Sequence, residues 1–88
     1  MTYELEFEKN ALKKFEKLNP QIAEQFIRKL EAILENPKIP KNKLSGSVDL
    51  YKIKLKAAGY RLVYKVKDET VVVLVLDVDR RDTIYKNL

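Results

Sequence analysis

A chain of 88 residues is enough for one domain, spanning residues 1–88, and its core must come from a few well-patterned elements, because a chain this short buries only about 60–65% of its unfolded surface. Lys and Arg outnumber Asp and Glu 18 to 13, for a net charge of +5 and a pI near 9.4, which favours an anionic partner such as nucleic acid, an acidic protein or a membrane surface. With no Cys and no His, the sequence excludes a disulfide framework, a zinc site and imidazole acid–base chemistry, so any catalysis must use Lys, Arg, Tyr or a carboxylate.

The opening residues Met1 to Glu6 are charged at once and carry no apolar signal segment, and the longest apolar run, Val71 to Leu76, is too short to span a bilayer. The sequence therefore reads as a cytoplasmic protein without membrane, metal or cofactor. Tyr3, Leu5 and Phe7 alternate with Glu4 and Glu6, the period of a half-buried strand. A helix is expected from about Glu8, with Ala11, Leu12, Phe15 and Leu18 on its apolar side. Asn19-Pro20 reads as an N-cap followed by proline at the first helical position. The broad stripe from Ile22 through Phe26, Ile27, Leu30 and Ile33 to Leu34 then carries a second helix to about Glu35, and Asn36-Pro37 stops it.

Pro37 to Ser47 reads as a loop. Three strands follow at about Leu50–Lys56, Tyr60–Lys67 and Thr70–Val78, joined by a two-residue turn at Ala57-Ala58 and a tight turn at Lys67-Asp68-Glu69. The segment from Asp79 to Leu88 is polar and shows no period. The expected fold is α+β: an N-terminal strand and a helical hairpin packed on one face of a twisted, mainly antiparallel four-stranded sheet.

In the second strand Tyr51, Ile53 and Leu55 alternate with Lys52, Lys54 and Lys56. In the third, Leu62, Tyr64 and Val66 alternate with Arg61, Val63 and Lys65. Side chains change face at every residue, so the lysines lie together. A turn at Ala57-Ala58 sets Lys54 opposite Arg61 and Ile53 opposite Leu62, and a one-residue slip would turn the lysines into the core. The pattern predicts a concave cationic surface opposite the helices, without carboxylates in these two strands. A solvated face with lysines guarding an edge is the plainer account, but like charges on neighbouring strands repel and call for a reason. The tail adds Arg80 and Arg81, whose guanidinium forks suit phosphate oxygens, and Tyr85.

Lys43-Leu44-Ser45-Gly46, Tyr51-Lys52-Ile53-Lys54-Leu55, Gly59-Tyr60-Arg61-Leu62-Val63-Tyr64 and the ending Arg80-Arg81-Asp82 with Tyr85 resemble the RelE family of bacterial toxins over nearly the whole chain. The Gly-Tyr-Arg-Leu-Val-Tyr segment is shared by the wider RelE/ParE superfamily, whereas the set Lys52, Lys54, Arg61 and Arg81 points to the branch that cleaves messenger RNA. The resemblance implies a RelE-like, microbial-ribonuclease-like fold. It implies the toxin of a bacterial or archaeal type II toxin–antitoxin system, an endoribonuclease that cuts messenger RNA in the ribosomal A site. The 2′-hydroxyl would attack the adjacent phosphorus to leave a 2′,3′-cyclic phosphate, and a RelB-like or other antitoxin would cover the basic face. The alternative is a ParE-like toxin that inhibits DNA gyrase without catalysis.

The chemistry requires a proton acceptor, charge stabilisation at phosphorus and in-line geometry. Lys54, or Lys52, could act as base if neighbouring Arg61 and Arg81 favour the neutral amine. The arginines would stabilise the phosphorane, and Tyr85 would stack on a base or orient a hydroxyl. Lys41, Lys43, Lys56 and Arg80 are the further candidates for RNA binding.

Overall fold

The computed structural model describes residues 2–80. Strand β1 (Glu4–Phe7) leads into helix α1 (Lys9–Glu16), and helix α2 (Pro20–Ile33) follows. After a single 3-10 turn at Pro40–Asn42 come β2 (Leu50–Leu55), β3 (Tyr60–Lys67) and β4 (Val72–Arg80). Each helix begins where a side chain supplies the missing acceptor. The Glu8 carboxylate accepts from the backbone N–H groups of Asn10 and Ala11 at 2.9 and 3.2 Å, and the Asn19 carbonyl oxygen accepts from Gln21 N–H at 2.9 Å, ahead of Pro20. Leu12, expected on the apolar side of α1, is instead exposed.

The sheet order is β1-β4-β3-β2. Pairs β2–β3 and β3–β4 are antiparallel, whereas β1 runs parallel to β4, so the sheet is mixed. The helices cover one face. Ala11, Phe26 and Leu30 pack with Ile53, Leu55, Leu62, Tyr64, Val66, Val73, Val75 and Val78, and the edges are filled by Leu5, Phe7, Phe15 and Ile22. Tyr64 is fully buried. Its hydroxyl donates to the Pro37 carbonyl at 2.8 Å and its ring stacks on Tyr51 with centroids 5.6 Å apart, which anchors the segment leaving α2.

The expected register of β2 on β3 is the observed one, with Lys54 opposite Arg61 and Ile53 opposite Leu62. The connection is longer than the two-residue turn, however. Pairing ends at Leu55 and Tyr60, and Gly59 closes the loop with φ of 72° and an N–H bond to the Leu55 carbonyl.

The β3–β4 connection also departs from expectation. The turn occupies residues 68–71, so β4 begins at Val72, and Val71 takes a left-handed φ of 55° that β-branched residues seldom adopt. β4 then continues through Asp79 to Arg80, two residues past the expected end. A bulge makes this possible. Tyr64 pairs with Val75 but Val63 pairs with Asp77, which leaves Leu76 without a partner on β3. Before the bulge Val73 and Val75 enter the core; after it Val78 does. Had the ladder run on unbroken, Asp77 would stand opposite Leu62 in the core, where an ionised carboxylate is costly.

Candidate RNA-binding and catalytic face

Strand pairing builds two rows across the face that the helices leave open. One is Lys54–Arg61–Asp79 and the other is Lys52–Val63–Asp77, each ordered from β2 through β3 to β4. Residues directly opposite in an antiparallel pair share a face, with Cβ atoms about 5 Å apart. Lys52, Lys54 and Arg61 therefore lie together, as strand alternation requires. Lys52 and Lys54 are half-buried, but Arg61 is only 1% exposed and Val63 2%. Arg61 is thus part of the interior rather than of an open concave patch. Arg81 and Tyr85 lie outside the described residues.

The face is also divided in charge. Lysines occupy β2 and β3, but Asp77 and Asp79 stand on β4, a consequence of the bulge that alternation along β2 and β3 does not reveal. Lys14 of α1 engages both carboxylates, with its Nζ 2.9 Å from Asp77 and 3.4 Å from Asp79. The bond to Asp77 is the main cause of a Lys14 pKa raised above the ordinary lysine value, followed by an opposing loss of hydration. Each aspartate also accepts from the backbone N–H of the next residue, Val78 or Arg80.

A groove of about 520 Å³ runs beside β2, lined by Lys29 of α2, Lys41 of the 3-10 turn, and Lys52, Lys54 and Lys56, with no carboxylate in its wall among the described residues. Lys29 Nζ donates to the Lys54 carbonyl at 3.3 Å and ties α2 to the strand that bears the lysines. Lys41 and Lys56 thus join Lys52 and Lys54. Lys43 and Arg80 do not. Lys43 bridges Tyr51 and Arg80 pairs with Tyr60, so both take the parity of the helix-covered face. Lys29 escaped the sequence reading because helix periodicity gave no sign that the polar side of α2 borders the β2 groove.

Comparison with known proteins places this geometry. The family model of the ParE toxin of type II toxin–antitoxin systems (parDE) matches residues 5–85. The mRNA interferase toxin RelE of Escherichia coli K12 is 51% identical over 82 residues, which is 93% of this chain and 86% of the relative. This chain belongs to the RelE toxin family. The crystal structure of isolated E. coli RelE superposes with a TM-score of 0.86 at 44% identity, covering 98% of this chain and 99% of that one. RelE in the intact E. coli RelBE toxin–antitoxin complex superposes with a TM-score of 0.86 at 51% identity, covering 89% and 95% of the two chains. The expected α+β architecture, two helices on one face of a four-stranded sheet, is that of the RelE structures.

Proposed function

We propose that this RelE-family protein is a metal-independent endoribonuclease that cuts messenger RNA in the ribosomal A site, and that it is the toxin of a type II toxin–antitoxin pair. The observation that carries this reading is the alignment of Lys52 and Lys54 beside Arg61, bordering a groove whose wall, among the described residues, has five lysines and no carboxylate. Identity of 51% to a protein named as an mRNA interferase supports it.

In this reading Lys54 takes the 2′-hydroxyl proton as the oxygen attacks phosphorus, the P–O5′ bond breaks to leave a 2′,3′-cyclic phosphate, and the 5′-oxygen takes a proton from water and departs as a hydroxyl. The adjacent guanidinium of Arg61 favours the neutral amine that a base requires. Because Arg61 is buried in the free protein, its role there is positioning through charge. Lys52 holds a phosphate oxygen, Arg81 stabilises the phosphorane, and Tyr85 stacks on a base or orients a hydroxyl. Lys41 and Lys56 receive the flanking RNA backbone. The ribosome supplies the in-line alignment that so small a set of acid–base groups cannot impose. The partner is a RelB-like or other antitoxin and the compartment the cytoplasm. Among the described residues no helix is long and apolar enough to cross a membrane.

The match to the ParE family model keeps a second reading in view, a non-catalytic toxin acting on DNA gyrase. Primer extension on ribosome-bound message after brief induction separates the two. New 5′ ends within A-site codons are expected, and intact messages together with failing DNA supercoiling would replace the nuclease with the gyrase inhibitor.

A further inference from the structure

The structure assigns a task to Lys14, a residue on a helix and outside the lysine rows. We propose that Lys14 is a positioning residue for RNA engagement: it draws Asp77 and Asp79 toward α1 and away from the cations of β2 and β3, and so keeps the lysines that border the β2 groove attractive to phosphate. The inference rests on the RNA-cleaving reading above.

The two carboxylates are the anionic ends of the rows that begin at Lys54 and Lys52. Asp79 stands directly opposite Arg61, and Asp77 is separated from Lys52 only by Val63. Carboxylates so placed would act against phosphate in two ways, by repelling it and by competing for the same cations. β1 pairs with β4 only as far as Phe7 and Val75, so along Asp77 and Asp79 the flank of β4 is taken over by α1. Lys14 reaches both acids from there, while the Val78 and Arg80 N–H groups hold one oxygen of each. Asp79 thus has one oxygen on Lys14 and the other on the Arg80 N–H, while Asp77 Oδ1 takes both Lys14 and the Val78 N–H, so the bonds of both acids lead toward α1 and their own strand. A fold-stabilising role is the smaller part of its work: Lys14 is 44% exposed and each aspartate 28%, and ion pairs this accessible to water contribute little to stability.

The test is single-turnover cleavage of ribosome-bound message, titrated with toxin to separate the half-saturating concentration from the maximal rate. Melting curves accompany Lys14→Ala, Lys14→Arg, Asp77→Asn with Asp79→Asn, and the triple variant with Lys14→Ala. Lys14→Ala is expected to raise the half-saturating concentration about tenfold with an unchanged melting temperature, and Lys14→Arg to restore it. Replacing both aspartates is expected to lower that concentration and to abolish the effect of Lys14→Ala. If Lys14→Ala behaves as wild type, or if its defect persists once both aspartates are gone, the inference is overturned while the nuclease reading stands. If the wild-type protein does not cut, the nuclease reading falls and the inference falls with it.

Discussion

Arg61 and Asp79 stand directly opposite each other on β3 and β4, yet the Asp79 carboxylate is bonded to Lys14 and to the Arg80 N–H. On its other side Arg61 faces Lys54. Arg61, 1% exposed, thus stands between a lysine on β2 and a carboxylate on β4. In the proposed mechanism Lys54, which faces it, is the base, and Lys52 is a phosphate contact.

The two lysines should therefore respond differently to replacement. Lys54→Ala is expected to lower single-turnover cleavage by roughly 100-fold or more, the scale of a lost general base, and Lys54→Arg should not restore it, because guanidinium does not give up its proton near neutral pH. Lys52→Ala should also slow cleavage, but Lys52→Arg should recover most of the rate, since a phosphate contact needs only charge and a donor. Recovery by Lys54→Arg would move the base to another residue.

Arg81→Ala tests the tail. A loss of at least about tenfold in cleavage, roughly 1.4 kcal/mol of transition-state stabilisation, is expected. The melting temperature should stay level or rise slightly, the outcome expected of a residue that serves RNA rather than the fold. Normal cutting with a melting temperature several degrees lower would make Arg81 a structural residue.

How far the sequence carried the fold depended on how local the signal was. Asn19-Pro20 caps α2 through its own side chain, and the alternation on β2 and β3 left one register that kept lysines out of the core, so both were legible. The parallel pairing of β1 with β4 joins residues about 68 apart, from Glu4 to Val72, and no local pattern encodes it. The site was legible to the same extent. Alternation grouped Lys52, Lys54 and Arg61, but the burial of Arg61 and the arrival of Asp77 and Asp79 depend on packing and on the bulge. The place of Lys29 beside the groove depends on how α2 docks.

Asp68 gives an acid-limb prediction. It accepts from Tyr3 at 2.6 Å and from Lys38, which ties the β3–β4 turn to the N-terminal strand and to the segment after α2. Lys38 first and Tyr3 second hold its carboxyl below the ordinary 3.8. A depressed folded pKa means that the contribution is complete above the unfolded value and fades as pH falls through the folded one. Asp68→Asn should therefore lower the melting temperature slightly near neutrality and converge with wild type once pH has fallen below 3.8 and through the depressed folded value. Curves that stay parallel down to that pH would show that the carboxylate charge contributes nothing.

Tyr64 gives the alkaline counterpart. Burial first, and the neighbouring Tyr51 second, raise its phenol from 10.0 to about 12. A raised folded pKa means that its contribution is intact below pH 10 and is lost as pH climbs toward about 12. Tyr64→Phe leaves the Pro37 carbonyl without this donor and should cost about 1–3 kcal/mol at neutral pH. Denaturant titrations should then show the gap between wild type and variant closing above pH 10. A constant gap would mean that the phenol ionises as easily in the folded chain as in the unfolded one.

The bulge at Leu76 permits the most direct test of why the face is built as it is. Deleting Leu76 closes the bulge without moving the register. Asp77 then follows Val75 directly and stays opposite Val63, Val78 stays opposite Leu62, and Asp79 stays opposite Arg61. The expected loss of stability is therefore small, about 1 kcal/mol, the share of one partly buried leucine side chain. Cleavage of ribosome-bound message should persist, because every later side chain keeps its face. A fall of several kcal/mol in denaturant titrations, with cleavage lost, would show that the extra residue itself holds the end of β4 on β3, and that the bulge does more than set which side chains share the face of Lys52 and Lys54.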